Sequence, residues 1–392
     1  MLQLNAFTIS KGGTHDLYDF GQRGAFASKM KIINGYSSEK PLNAPWTLEV
    51  EPTLLCNADC SFCSYGEDIA KAKLNRYIKG LPREAVLNAL RTAGEAGTKG
   101  ILWSGGGEPL LWPHIDEALT LSASLAEVSV QTNGIKLDAF TKTLDSLRRF
   151  RIISVSVVGH TPELHLAIMR VKSFACVIRN IEHVAELKLR GVNTLLTAKI
   201  LVSVENHLFL PEIVQFYLGL GVDTVALRIV QDYNYGGDGQ RPTSLDLSQS
   251  QRHAMLQAIT VSSFQHDSLL AFAETLTQQI IAPPVTSRCY NATDGHFACI
   301  DAHGDVFIGN PEIGNPEFCI GNILVSPWEE IWCSERHLAV IQKMNAMQCA
   351  GTCQRELCRH VKANLGVQNA IDNQWRGNLN EKSIMQNLGA FL

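Results

Sequence analysis

From Trp46 onward, short apolar runs of β type alternate with longer stretches whose apolar positions recur every three or four residues. The β-type runs are WTLEVE (46–51), GILWS (100–104), EVSVQ (127–131), ISVSVV (153–158), LLTAKILV (195–202) and TVALRIV (224–230). Between them lie helical patterns such as 82–97, with Pro82 suited to a first turn and Gly97 to a stop, and 207–221. Six strand-then-helix units in series predict an α/β fold: a parallel sheet with right-handed crossovers. Six units curl into an open, partial (β/α)6 version of the eight-fold TIM barrel. In such barrels chemistry gathers on the loops after the C-terminal ends of the strands.

This pattern divides the chain into an N-terminal extension (1–45), a barrel core (46–231), a connector (232–285), a smaller cysteine-bearing domain (286–360) and a tail (361–392). The connector opens with the loop-like YNYGGDGQRP, continues as a helix-type run and breaks at APP, 282–284. The stretch after it predicts two short strands around a His-Gly-Asp turn, hence a β-hairpin, followed by helices.

Composition narrows the class. Of 392 residues 45% are apolar and 18% charged, which provides a buried core and excludes disorder as the dominant state. With 34 basic against 38 acidic residues the formal charge is -4, so neither nucleic acid nor an anionic membrane is expected as the main partner. No apolar stretch approaches the roughly 20 residues of a membrane span. The N-terminus lacks the pattern of a secretory signal, and a cytoplasmic location is expected.

The 11 cysteines change the picture most. An odd number of thiols in such a chain points to metal or redox chemistry rather than a disulfide framework. Cys56, Cys60 and Cys63 fall within eight residues, and Cys289, Cys299, Cys319, Cys333, Cys349, Cys353 and Cys358 lie near the C-terminus. Cys176, alone in a helical run, reads as a small core residue, and Cys333, in an amphipathic segment, as core rather than ligand. The 12 histidines show no paired spacing and read as ordinary polar or core residues.

The spacing Cys56-x3-Cys60-x2-Cys63 supplies three thiolates on one loop after the first strand. A closed zinc or iron–sulfur site takes four ligands, so three leave either a zinc knot completed from elsewhere or a cubane with one open iron. The segment CNADCSFC, with Phe62 before the last cysteine, resembles the radical S-adenosylmethionine (SAM) superfamily. That resemblance implies a 4Fe-4S cluster whose open iron chelates SAM. One-electron reduction then yields a 5′-deoxyadenosyl radical that abstracts a substrate hydrogen atom, with the protein orienting the cofactor and excluding water.

Further motifs fall at the next strand ends. SGGGEPLL (104–111) resembles the family's GGE motif, which holds the methionine amino group, and assigns Gly106, Gly107 and Glu108 to SAM. QTNG (131–134) is similar to the TNG element and adds Asn133. Ser156 on the fourth strand and Arg170 in the following helix match family contacts to SAM, although Val158 stands where an aspartate is frequent. Asn206 and Arg228 are candidates by placement alone.

The cysteines after residue 288 resemble the SPASM and twitch extensions of radical SAM enzymes. Cys289 matches the first ligand position of that family, but Gly309 stands at the second. Cys349-x3-Cys353-x4-Cys358 is also wider than the family's CxxC. The resemblance implies one auxiliary 4Fe-4S cluster on Cys289, Cys349, Cys353 and Cys358, with Cys299 or Cys319 able to replace one of them. A structural zinc or a missing cluster is the other reading.

For function, the resemblance implies an enzyme that modifies a ribosomally made precursor peptide. The alternative is a dehydrogenase, decarboxylase or epimerase of a sugar, aminocyclitol or nucleoside, and a non-enzymatic iron–sulfur or zinc scaffold is the remote third. The implied partners are a flavodoxin- or ferredoxin-type electron donor and, for a peptide substrate, a separate leader-recognition protein. Substrate-side candidates by loop position are Asp232, Tyr233 and Tyr235 after the sixth strand, and Asp301 and Asp305. Segment 70–80 reads either as a substrate-facing lid or as a solvated basic face.

Overall fold

A computed structural model describes residues 7–10, 43–63, 65–66, 80–230, 247–264, 269, 272–273, 289, 295–309 and 313–346. Asp232, Tyr233, Tyr235, most of segment 70–80, Cys349, Cys353, Cys358 and the tail lie outside these residues.

The strands are β1 (Phe7–Ser10), β2 (Thr47–Val50), β3 (Gly100–Trp103), β4 (Glu127–Thr132), β5 (Ile152–Val157), β6 (Leu195–Val202) and β7 (Thr224–Ile229), then β8 (Phe297–Ile300), β9 (Asp305–Phe307) and β10 (Cys319–Asn322). The helices that concern us are α1 (Arg83–Glu95), α2 (Ile115–Leu125), α3 (Leu144–Arg148), α4 (Pro162–Met169), α5 (Phe174–Lys188), α6 (Leu210–Gly219), α7 (Gln249–Val261), α8 (Trp328–Ile331) and α9 (Glu335–Asn345). The six strands β2 to β7 match the six predicted runs and pair in parallel, each with the next in sequence. Pro82 caps α1 from just outside rather than entering its first turn, and Gly97 takes φ +116° just past its end.

One face of this sheet is apolar. Leu48, Val50, Ile101, Trp103, Val130, Val155, Ala198 and Leu227 join buried residues of α1, α2, α5 and α6 in a single core. The alternate residues point to the other face, among them Glu49, Gln131, Ser154, Ser156, Lys199 and Arg228. Among the described residues the helices named above pack on this one face, as in a barrel-type sheet rather than a doubly wound one.

The sheet extends past the predicted six strands at both edges. β1 pairs antiparallel with β7, inside the stretch expected to precede all strands. Four residues are too short to show a period in the sequence, and the open edge of β7 completes their hydrogen bonding. At the other edge β8 pairs in parallel with β2, and β9 and β10 continue antiparallel, giving the order β1-β7-β6-β5-β4-β3-β2-β8-β9-β10. The predicted hairpin thus continues the barrel sheet. Asp301 Oδ1 accepts from the amides of His303 and Asp305, both at 2.9 Å, which sets the turn between β8 and β9.

Cys333 corrects the core expectation. It is exposed, with φ +65°, at the turn between α8 and α9, while Trp328, Ile331 and Trp332 face inward. No helix among the described residues is long and apolar enough to cross a membrane.

Candidate functional site

The loop after β2 carries Cys56, Cys60 and Cys63, all half-buried thiols, and two neighbouring strand-end loops and a helix terminus hold it at three points. The first is the loop after β3. The amides of Gly107 and Glu108 donate to the carbonyls of Thr53 (2.9 Å) and Leu55 (2.7 Å). A Cβ on Gly107 would lie 2.3 Å from the Leu55 carbonyl oxygen and 2.6 Å from the Leu54 carbonyl carbon, so only glycine permits this approach. Gly106 backs against the side chains of Leu54 and Tyr65. In this structure the glycines bring two stretches of the chain itself together.

The second point is the turn after β4, where Asn133 Nδ2 donates to Asn57 Oδ1 at 2.7 Å. The third is the C-terminus of α4. The amides of Asp59 and Ser61 donate to the carbonyls of Met169 (3.1 Å) and Ile168 (2.9 Å), which a helix end leaves without intrahelical partners. Arg170 caps α4 in the left-handed conformation with φ +56° and is exposed. Phe62, Cys56 and Cys60 pack on the apolar group of Ala58, Val158, Ile168 and Met169, and Cys60 Sγ lies 3.3 Å from Met169 Sδ.

The electrostatics of the loop suit a cationic cluster. Burial, then the charges of Cys63 and Cys56, push the Cys60 thiol up to about 12. The Cys60 thiol stays protonated unless positive charge compensates it, and the iron–sulfur core that such a trio would hold supplies that charge. Among the described residues no group of three or more His, Cys, Asp or Glu side chains could hold a metal ion. A cubane is wider than one ion and does not require its ligands to meet at a point. Three half-buried thiols on one loop are the donor set that three corners of a cubane require.

Glu108 lies at the centre of the strand-end motifs. Its carboxylate is buried and accepts from Thr132 Oγ1 (2.7 Å) and the Leu110 amide (3.2 Å) on Oε1, and from the Asn133 amide (2.8 Å) on Oε2. Burial raises it to about 7 against the lowering effect of these donors. Glu108 thus joins the GGE and TNG loops, and Asn133 passes that link on to the cluster loop. Sequence reading missed Asn57 and Thr132. The signal available was a polar residue between the first two cysteines and a threonine beside Asn133.

The remaining candidates separate by position. Ser156 is half-buried on the inner face of β5, opposite Lys199 in register. Asn206 is fully buried, donates to the carbonyls of Val158 (2.7 Å) and Leu201 (2.8 Å) and accepts from the Ser203 amide (2.8 Å), so its amide is used in holding strand ends together. Asp305 Oδ1 accepts from Asn322 Nδ2 at 2.7 Å and, like Asp301, serves the hairpin. Burial raises Asp301 to about 6. Of the four suggested auxiliary ligands only Cys289 is described, half-buried against the core, while Cys299 is fully buried in β8 and Cys319 half-buried in β10.

Comparison with known proteins agrees with this geometry. Residues 50–203 match the family described as the Radical SAM superfamily and form a radical SAM domain. Probable GTP 3′,8-cyclases of Methanosarcina acetivorans and Methanosarcina mazei are each 31% identical over 116 residues. That match covers 30% of this chain and spans about a third, 34%, of theirs. Among solved structures, anSMEcpe with bound AdoMet aligns with a TM-score of 0.54 at 15% identity, covering 83% of this chain and 97% of that one. SuiB of Streptococcus suis bound to S-adenosylmethionine aligns at 0.55 and 15% identity, covering 86% and 73%. SuiB bound to its precursor peptide SuiA aligns at 0.54, also 15% identical, covering 80% and 69%.

Proposed function

We propose that this protein is a radical SAM enzyme that modifies a ribosomally made precursor peptide. Cys56, Cys60 and Cys63 would hold a 4Fe-4S cluster with one open iron. Gly106, Gly107, Glu108, Asn133, Ser156, Arg170 and Phe62 would surround SAM. Reductive cleavage of SAM bound there supplies the 5′-deoxyadenosyl radical that takes a hydrogen atom from the substrate. The observation that carries the reading is the convergence of the GGE loop, the TNG turn and the α4 terminus on the three-cysteine loop. That convergence would hold a cluster on this loop fixed relative to the strand ends around it, as a reaction through a short-lived radical requires.

The peptide assignment draws support from the likeness to SuiB and anSMEcpe, because each of these has a solved structure with a bound peptide and the likeness covers 80% of this chain. Cys289, Cys349, Cys353 and Cys358 would carry one auxiliary cluster. A flavodoxin- or ferredoxin-type donor would supply the electron, and a separate protein would present the leader of the precursor. Reconstituted protein given SAM, dithionite and a short peptide encoded beside its gene should release 5′-deoxyadenosine together with a changed peptide mass.

The second reading is a small polar metabolite, a nucleoside among them. The similarity to GTP 3′,8-cyclases over 116 residues favours it. Turnover of a nucleotide or sugar with every neighbouring peptide left unchanged would establish it in place of the first.

A further inference from the structure

A fourth tie reaches the cysteine loop, from the segment between β6 and α6. Ser61 lies between Cys60 and Cys63, and its hydroxyl donates to Glu205 Oε1 at 3.3 Å across 144 positions of sequence. Ser203 Oγ donates to Glu205 Oε2 at 2.5 Å.

The segment holds that carboxylate in place. Asn206, fully buried, donates to the Val158 and Leu201 carbonyls and accepts from the Ser203 amide. The amides of Asn206 and His207 donate to the Ser203 carbonyl at 3.3 and 3.1 Å, and His207 Nδ1 donates to the Val204 carbonyl at 2.8 Å. Glu205 thus stands in a tight turn with fixed neighbours on both sides. Leu201, at the end of β6, packs with Cys56, Cys60 and Phe62 on the group formed by Ala58, Val158, Ile168 and Met169.

Charge is what this tie adds beyond a hydrogen bond. Glu205 is half-buried, both its partners are neutral hydroxyls, and among the described residues no cation pairs with it. A neutral acceptor would fasten Ser61 equally well, so holding the loop does not by itself call for a carboxylate. Ser61 also meets the C-terminus of α4, where its amide donates to the Ile168 carbonyl at 2.9 Å, and a helix end of this kind carries partial negative charge. The cations after α4, Arg170 and Lys172, are exposed, so water and salt screen them. Reduction of a cluster on this loop would place one more electron near these negative groups, which opposes it. Net charge and exposure are among the properties that set iron–sulfur potentials.

We propose that Glu205 is a positioning residue for the cluster, lowering its reduction potential through the charge it holds against Ser61. This rests on the reading of Cys56, Cys60 and Cys63 as cluster ligands and adds the residue that sets how strongly the bound cluster reduces.

The test is a redox titration of the reconstituted full chain without SAM, followed by electron paramagnetic resonance. Glu205→Gln keeps the size of the side chain and its capacity for hydrogen bonds but removes the charge. At the midpoint potential of the parent chain, the variant's ratio of reduced to oxidised cluster should be at least threefold higher, a positive shift of about 28 mV for one electron. Its iron content should equal the parent's, and its SAM affinity should change less than twofold. Ser61→Ala, which keeps the charge and removes the tie, should shift the ratio by a smaller factor. Glu205→Ala gives the same positive shift if Glu205→Gln takes up no cluster. An unchanged or lower potential in the Glu205 variants with iron intact overturns the proposal and leaves the cluster reading standing. A shift in Ser61→Ala as large as that in Glu205→Gln also overturns it, by assigning the effect to a loosened loop. A parent chain that takes up no iron overturns the cluster reading and the proposal with it.

Discussion

Asn133, in the turn after β4, donates from its side-chain amide to the side-chain oxygen of Asn57 across 2.7 Å, although 76 residues separate them. Asn57 lies between the first two cysteines of the loop, and the backbone amide of Asn133 is held in turn by Glu108. Two loops that the sequence presents as separate motifs are thus one hydrogen-bonded unit with the cysteine loop. Asn57→Ala should leave the iron content of reconstituted protein unchanged but weaken SAM binding about tenfold, the loss of one buried hydrogen bond at about 1 kcal/mol or slightly more. Iron analysis and equilibrium binding on the same sample check it.

Glu108 makes a pH prediction. Its carboxyl lies at about 7 in the fold against the ordinary 4.5, so between these values the folded state holds a proton that the unfolded chain has lost. Stability from this group is therefore complete below about pH 4.5 and declines as pH rises to about 7, by roughly 3 kcal/mol over the window. Glu108→Gln should show a flatter dependence than the parent chain between pH 5 and 7. Denaturant melts of the cluster-free protein at several pH values measure the difference.

Gly107→Ala tests the close approach of two backbones. The added methyl group meets the Leu54 and Leu55 backbone, neither of which can move without shifting the cysteine loop. We expect a loss of about 2–3 kcal/mol in stability, typical of forced overpacking, and poor cluster incorporation. Thermal melting and iron analysis report the two effects separately.

Asn206→Ala should behave in the opposite way. Removing the side chain strands the Val158 and Leu201 carbonyls and the Ser203 amide, at a cost of about 2–4 kcal/mol. SAM affinity at a temperature where the variant is folded should stay within twofold. A large loss of SAM affinity would return Asn206 to the site.

The alternation of apolar runs exposed β2 to β7 almost to the residue, because each buries one face against helices and keeps the other polar. β1 escaped notice because four residues give no period, and its strand state comes from the unpaired edge of β7. The attachment of β8 to β2 also had no local signal, since the pairing joins residues about 250 positions apart. Within the site, the residue types at the strand ends were legible and their wiring was not. By resemblance Glu108 is a contact for the amino group of SAM, and its three donors show that it is also a joint between loops. Asn206 reads as a site residue by placement, and its burial among backbone groups shows a brace. Cys333 fits an amphipathic helix in the sequence but stands exposed at a tight turn, because the helix ends two residues earlier at Ile331.

The most direct measurement is the yield of 5′-deoxyadenosine from anaerobically reconstituted, dithionite-reduced protein given SAM, set against the Cys56/Cys60/Cys63 triple alanine variant. We predict release by the parent chain, none by the variant, and a fall in bound iron by about four atoms per chain. Equal release by both proteins, or an iron content that the triple substitution leaves unchanged, would contradict the assignment of the cluster to this loop.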